Sequence, residues 1–270
     1  MTDDHALARD LAGQAGRRLL GLRAQGGDPD LLRKAGDRLS HDFLTAALAS
    51  QRPGDVVLSE EGADNPARLS ARRVWIVDPL DGTREFGEPG RTDWAVHVAL
   101  WERSAGGLAS SRPGGPTPPY PPGNLTAGAV ALPAQGRILS TLGPPVPPPD
   151  DGPAQARIRI AVSRSRPPAF VRNISDRIDA ELVPLGSAGA KVAAVVGGEV
   201  DAYVHGGGFY EWDTAAPVAV ARAAGFHASR IDGAALAYNQ ADLLMPDILV
   251  CRPALAALLL QAIREVTNAP

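Results

Sequence analysis

One cysteine in 270 residues excludes any internal disulfide, and with it the small cysteine-stapled secreted folds. That cysteine, Cys251, ends the apolar run Ile248-Leu249-Val250-Cys251 and reads as a buried small hydrophobe. No apolar stretch approaches the roughly eighteen residues that a membrane helix needs. The opening Met1-Thr2-Asp3-Asp4 has neither a basic nor an apolar leader character, so a soluble cytoplasmic protein without a membrane partner is expected. Charge of one sign is also missing. Twenty-seven Lys and Arg stand against thirty Asp and Glu, a net charge of −3 that gives no electrostatic case for a nucleic-acid polymer or an anionic membrane. The five histidines show no metal-ligand spacing, and no serine nucleophile elbow occurs. What remains is an ordinary globular composition, 44% hydrophobic and 21% charged, long enough for a sizeable core and near the length at which one domain becomes two.

Helix and strand patterns alternate along the chain. Leu7, Leu11, Ala15, Leu19 and Leu22, at steps of three and four, predict a helix over residues 5 to 24, stopped by Gly26-Gly27-Asp28-Pro29. Leu39, Phe43, Ala46, Ala47 and Leu48 suggest a second. Trp94, Val96, Val98 and Leu100 alternate with Ala95, His97, Ala99 and Trp101 along a strand, with further strands at 125 to 132, 137 to 142, 157 to 162, 199 to 204 and 248 to 251. Helices are expected at 167 to 179, 190 to 196 and 253 to 266. Two tracts crowded with Pro and Gly, 110 to 123 and 143 to 153, suit a surface loop and a connection between halves. No repeat is detectable. His97 and His205 read as packing residues.

The chemistry concentrates in Asp78-Pro79-Leu80-Asp81-Gly82-Thr83, directly after the apolar run Val74-Trp75-Ile76-Val77. Pro79 fixes its own φ and pushes Asp78 into an extended conformation, so the backbone turns and both carboxylates can face one point. Mg2+ takes oxygen ligands and keeps several waters, so a few carboxylates and a carbonyl make a phosphate-handling site. Gly82 lets backbone approach a ligand, and Thr83 adds a hydroxyl. An acidic turn capping a helix is the plain alternative. Two other acidic groups also fall at element ends: Glu60 and Glu61 after Val56-Val57-Leu58-Ser59, and Asp213 in Glu211-Trp212-Asp213-Thr214-Ala215-Ala216-Pro217. Separately these read as a solvated pair and an N-cap.

Taken in order, the three groups resemble the signatures of the inositol monophosphatase-like superfamily of Mg2+-dependent, Li+-sensitive phosphatases: E-E after a strand, then D-P-[IL]-D-G-T, then W-D-x-A-A. The resemblance runs over about residues 5 to 265. Ile160 to Arg166, Gly186 to Lys191 and Glu211 to Asp213 look most like the CysQ branch, whose members remove the 3′-phosphate of 3′-phosphoadenosine 5′-phosphate to leave AMP. The resemblance implies an α/β (α+β layered sandwich, sugar-phosphatase) fold in two sub-domains, residues 1–150 and 151–270, with the metal site between them. It implies two or three Mg2+ ions. Glu60, Asp78 and the Leu80 carbonyl would hold the first, and Asp78, Asp81 and Asp213 the second. Asp37, in Lys34-Ala35-Gly36-Asp37, falls where the family has an aspartate that activates water or holds a third ion, although the pattern there is normally T-x-x-D. Thr83 would orient the attacking water, and the Gly82 and Thr83 amides would bind phosphate oxygens.

For the substrate, the resemblance places Ser187 and Lys191 near the sugar and 5′-phosphate, with Arg166 as a second 5′-phosphate contact; an ordinary solvated lysine and a surface arginine are the plain alternatives. Phe209, Tyr210 and Trp212 could stack on adenine or simply pack. The Gly186 to Lys191 segment lacks the spacing of a Walker A loop, which argues against nucleoside triphosphate chemistry. Alternative activities on the same metal site are inositol-1-phosphate or fructose-1,6-bisphosphate hydrolysis, and an alternative of another class is a non-catalytic phosphate or nucleotide sensor. A homodimer is compatible with the sequence, which does not itself specify one.

Overall fold

The parity of apolar residues along each strand sorts the structure into layers. It is a computed structural model and describes residues 3–104, 123–147, 157–165 and 167–267. Arg166, residues 110–122 of the first Pro-rich tract and residues 148–153 of the second lie outside the described residues. The chain opens with α1 (Asp4–Arg23), whose first turn is capped by Asp3. It continues in α2 (Pro29–Gln51), where Asp28 accepts the amides of Asp30 and Leu31 and Pro29 occupies the first helical position.

A first sheet follows, in order β1 (Val56–Ser59), β2 (Arg73–Asp81), β3 (Ala95–Arg103), β4 (Gly123–Leu132) and β5 (Arg137–Ser140). β1 and β2 are parallel and the other neighbours antiparallel. The short α3 (Thr83–Gly87) sits between β2 and β3.

The second part contains β6 (Arg159–Ser163), α4 (Ala169–Ile178), β7 (Glu181–Leu185), α5 (Ala188–Val196), β8 (Ala202–His205), β9 (Phe209–Tyr210), α6 (Glu211–Ala223), β10 (His227–Ser229), β11 (Leu244–Met245), β12 (Ile248–Cys251) and α7 (Ala256–Thr267). Its main sheet has the order β10-β12-β8-β6-β7, and β9 pairs with β11 alone.

On the first sheet, Trp75, Val77, Val96, Val98, Leu100, Ala127, Ala129 and Ala131 face α1 and α2. The alternate residues Val74, Ile76, Ala95, Ala99, Val130 and Leu132 face α5 and α6. Those two helices also cover one face of the second sheet, through Ala161, Tyr203, Ile248 and Val250. The opposite face of that sheet, Ile160, Val162, Ala202, Val204 and Leu249, packs on α4 and α7. The order is therefore helix, sheet, helix, sheet, helix, since each face of a half-apolar sheet must be covered. The mixed α/β class expected from the sequence is present.

Several boundaries differ from the sequence reading. The strand expected at 199 to 204 begins only at Ala202, because residues 197 to 201 form a turn around Gly198, whose φ is +76°. The last helix starts with a separate 3-10 turn at Pro253–Leu255, since Pro253 cannot donate to a preceding carbonyl. β7, β9, β10 and β11 were not expected; each has five residues or fewer, too short for a periodic signal. Among the described residues, no helix is long and apolar enough to cross a membrane.

Cys251, the last residue of β12, is fully buried in the cluster shared with α4 and α7, and burial pushes its thiol up to about 12. A thiol kept protonated and out of contact with solvent is unreactive. In native protein at pH 8 a disulfide exchange reagent should therefore label less than one thiol in ten over the time in which denatured protein is labelled fully. Equal labelling rates in the two states would contradict this packing.

Candidate active site

An ordinary strand points residues i and i+3 to opposite faces, yet Asp78 and Asp81 act on the same side of β2. The register explains this. Asp78 pairs with His97, and Asp81 pairs with Ala95, so three steps on β2 oppose two on β3. The extra residue is a β-bulge at Pro79-Leu80, which suits a proline that can give no ladder hydrogen bond. The Asp78 Oδ1 atom accepts the Leu80 amide at 3.0 Å and fixes the bend. Asp78 is 1% exposed and Asp81 7%, and both face the middle helical layer. Gly82 then takes φ +84°, a left-handed conformation in which a Cβ would lie 3.2 Å from the Asp93 carbonyl oxygen.

The middle helices complete the site. Ser187, at φ +44°, caps α5 by accepting the Ala190 amide at 2.9 Å, and its hydroxyl donates to Asp81 Oδ2. The Gly189 amide donates to the same oxygen at 2.7 Å. Gly189 is obligatory by contact, since a Cβ there would lie 2.1 Å from His97 Nε2. His97 is fully buried on β3, with Nε2 3.2 Å from Asp81 Oδ2, though poorly aligned for a hydrogen bond, and Nδ1 donating to the Trp212 carbonyl at 3.2 Å. Asp213 lies in the first turn of α6 and accepts the Tyr210 amide at 2.6 Å. From α2, Asp37 Oδ1 is 3.4 Å from Thr83 Oγ1, which also lies 3.1 Å from the Leu80 carbonyl oxygen.

The electrostatics split neighbouring acids. Burial and the charges of Glu60, Asp81 and Asp213 push Asp78 well above the usual carboxylate range, and its Oδ2 is buried without a hydrogen-bond donor. Asp81 is equally buried but is held below its ordinary value, because His97, Ser187 and Lys191 outweigh the cost of desolvation. Glu60 stands at the cleft mouth after β1; surrounding protein and the charge of Asp213 push it up to about 7. Burial and the charge of Asp81 push Asp213 up to about 6. Asp37 rises to about 7 through burial and the charge of Glu61. Acids that crowd one another and leave a buried oxygen without a donor fit a multivalent cation. Asp78, Asp81 and His97 each offer a ligand atom within 4.8 Å of the others, whereas Glu60 and Asp213 approach the same acids as charges. His97 is thus the residue that sequence reasoning treated as packing. Only its place in strand register opposite Asp78 points to the site.

A cleft of about 640 Å3 opens beside these acids, lined among others by Thr83, Arg84, Arg164, Tyr203 and Tyr210. Ser187 reaches the site through Asp81. Lys191 also lines the cleft but is 5% exposed; its ammonium donates to the carbonyls of Gly186 at 3.1 Å and Ser187 at 2.8 Å and lies over the Tyr203 ring. Tyr210 is exposed at the rim and stacked on Trp212 at 4.8 Å between centroids, while Phe209 is buried.

A layered α/β fold holding an acidic, cation-suited centre beside an open cleft defines the class, and the chain belongs to the inositol monophosphatase family, whose model matches residues 7–110 and 122–268. It is 50% identical over 265 residues to a 3′-phosphoadenosine 5′-phosphate phosphatase of Mycobacterium leprae, covering 97% of this chain and 94% of that one. It is 31% identical over 220 residues to the 3′(2′),5′-bisphosphate nucleotidase CysQ of Escherichia coli K12, covering 76% and 78%. Among solved structures, CysQ from Bacteroides thetaiotaomicron superposes with a TM-score of 0.73 at 24% identity, covering 92% of this chain and 97% of that one. The 2′AMP-bound Staphylococcus aureus enzyme SaIMPase-II also gives 0.73, at 22% identity, covering 95% and 92%.

Acids whose pKa values are raised on folding bind protons more tightly in the folded state. Their contribution to stability is therefore greatest at low pH and is lost as pH rises through about 6 to 7, where Asp213, Glu60 and Asp37 titrate. In the presence of a chelator the melting temperature should fall between pH 5 and pH 8, and millimolar Mg2+ should flatten that slope. A chelated protein equally stable at both pH values would contradict the crowding of these carboxylates.

Proposed function

We propose that the chain is a Mg2+-dependent phosphatase that hydrolyses the 3′-phosphate of 3′-phosphoadenosine 5′-phosphate to give AMP and phosphate, and acts likewise on its sulfated form to give adenylyl sulfate. The observation that carries the metal-dependent chemistry is the pair Asp78 and Asp81, turned to one face by the bulge, with Asp78 Oδ2 buried and unpartnered. The choice of substrate is supported by half-identity, over nearly the whole chain, to a phosphatase named for that nucleotide.

Glu60, Asp78, Asp81, Asp213 and the Leu80 carbonyl would hold two Mg2+ ions, with Asp78 shared and Asp37 available to a third. Bound there, Mg2+ supplies positive charge against the phosphate and makes water acidic enough to attack at neutral pH. Thr83 Oγ1 donates toward Asp37 Oδ1 or the Leu80 carbonyl, which leaves its lone pairs to accept a hydrogen from the attacking water and so orient it. Where it holds no third ion, Asp37, pushed up to about 7 by burial and the charge of Glu61, would instead take a proton through that hydroxyl near neutral pH, where a general base is most effective. The Gly82 and Thr83 amides bind phosphate oxygens at the turn. Ser187 and Gly189 hold Asp81 Oδ2 so that this carboxylate stays ionised and fixed in direction.

Phosphate release from the bisphosphate nucleotide, inositol-1-phosphate and fructose-1,6-bisphosphate, each with Mg2+, tests the reading. The nucleotide should have the largest kcat/KM. A preference for inositol-1-phosphate would reassign the substrate, and binding without turnover under any divalent cation would make the protein a sensor. Asp81→Asn and Asp213→Asn should each lower kcat about a hundredfold or more while the protein stays folded, as expected when an anionic ligand that would hold Mg2+ against the transition state is removed. Near-normal turnover in either variant would remove that residue from the site. Millimolar Li+ should inhibit the wild-type protein.

A further inference from the structure

The cleft beside the metal-suited acids has an unequal charge distribution. Glu60, Asp81, Glu85 and Asp213 all line it, so a substrate bearing a second phosphate must bring that dianion into an acidic cleft. Burying such a charge is costly unless a cation receives it. Three Arg or Lys side chains line the cleft among the described residues: Arg84, Arg164 and Lys191. Arg164 is held by Glu85 at 2.7 Å and Glu88 at 2.9 Å. The Lys191 ammonium is buried beneath the cleft and donates to two main-chain carbonyls. Arg84 is different. It is exposed, and its side chain makes no hydrogen bond or ion pair with any described residue, although Glu88 lies close enough to feel its charge.

Its base is nevertheless fixed. Arg84 follows Gly82-Thr83 in α3, whose neighbouring residues are anchored from two sides. Arg23 donates to the Glu88 carbonyl at 2.5 Å, and Arg164 grips the Glu85 carboxylate. The side chain thus extends from the same turn that offers amides to the reacting phosphate, and a guanidinium binds phosphate through two parallel hydrogen bonds. A free fork on a fixed base beside the reaction centre suits the group that is retained rather than the one that leaves.

Resting on the activity proposed above, we propose that Arg84 is the specificity determinant that holds the substrate's second, non-reacting phosphate, and so favours bisphosphorylated nucleotides over monophosphates. A phosphate gripped equally before and during reaction affects KM rather than kcat.

The test compares wild type, Arg84→Ala, Arg84→Lys and Arg166→Ala on 3′-phosphoadenosine 5′-phosphate and on 3′-AMP, which lacks the 5′-phosphate. Arg84→Ala should raise KM for the bisphosphate by roughly ten- to a hundredfold, the range for hydrogen bonds to a charged group, with kcat and the 3′-AMP constants changed less than about threefold. Arg84→Lys should recover part of the loss. Equal loss on both substrates, no loss on either, or the selective loss appearing in Arg166→Ala instead would each overturn the assignment while leaving the activity in place. A wild-type protein that fails to hydrolyse the bisphosphate would overturn the activity reading and this inference together.

Discussion

The site depends on a single extra residue in one strand. Without the bulge at Pro79-Leu80, Asp81 would follow strand parity onto the face occupied by Trp75 and Val77, among the apolar side chains of α1 and α2. With it, Leu80 takes that place, packing in the cluster that contains Phe86, and both carboxylates move to the face of the middle helices. The bulge therefore solves a packing problem and a chemical one together. It buries a leucine on one side and concentrates negative charge on the other.

Such a concentration is tolerated because its two members are treated differently. Asp81 receives a serine hydroxyl, a helix-terminal amide and a close histidine, all from residues that must be small or buried to approach. Among the described residues, Asp78 receives only the Leu80 amide on one oxygen. Adjacent acids driven apart in this way give one that is ionised regardless and another whose charge waits on a counter-ion. The folded chain has already provided the oxygens and left one of them without a donor. A divalent cation would complete the coordination and relieve the repulsion in a single step.

Much of this was legible from residue order, and the limits have physical causes. The acids of the D-P-L-D-G-T segment could be read as facing one point because Pro79 restricts its neighbours, whereas Glu60 and Asp213, each at an element end, joined them only through the family resemblance. The layered sandwich was implied by the resemblance, and the structure shows its cause in alternate residues such as Val74 and Trp75 facing different helical layers. His97 was not legible as a site residue, since its role arises from pairing with Asp78 across β2 and β3, a non-local register that no spacing in sequence encodes. Lys191 read as a substrate contact by resemblance or as an ordinary solvated lysine; the second does not hold, because α5 lies between two sheets with no solvated face, and its ammonium turns back on the carbonyls at the start of its own helix while lining the cleft. Gly36 is another such case. It occupies an unspecified position of the family pattern before Asp37, and a Cβ there would lie 2.8 Å from Phe86 and 2.9 Å from Leu80, so its absence lets α2 reach the acidic turn.

The same contacts explain why the floor of the cleft and its rim have different roles. Residues at and beneath the floor are joined across distant parts of the chain: the Gly186 amide to Asp93 at 2.6 Å, and Gly189 against His97. A change there disturbs two sheets and the helices between them, so it alters stability and chemistry together. The rim carries exposed Arg84 and Tyr210, which depend on few neighbours, and a change there can alter what is bound while the acids below remain in place. Selectivity among phosphorylated substrates is thereby separable from phosphate hydrolysis itself. On the reading proposed above, the cations and rings at the cleft mouth would choose the substrate while the metal-suited floor performs the hydrolysis.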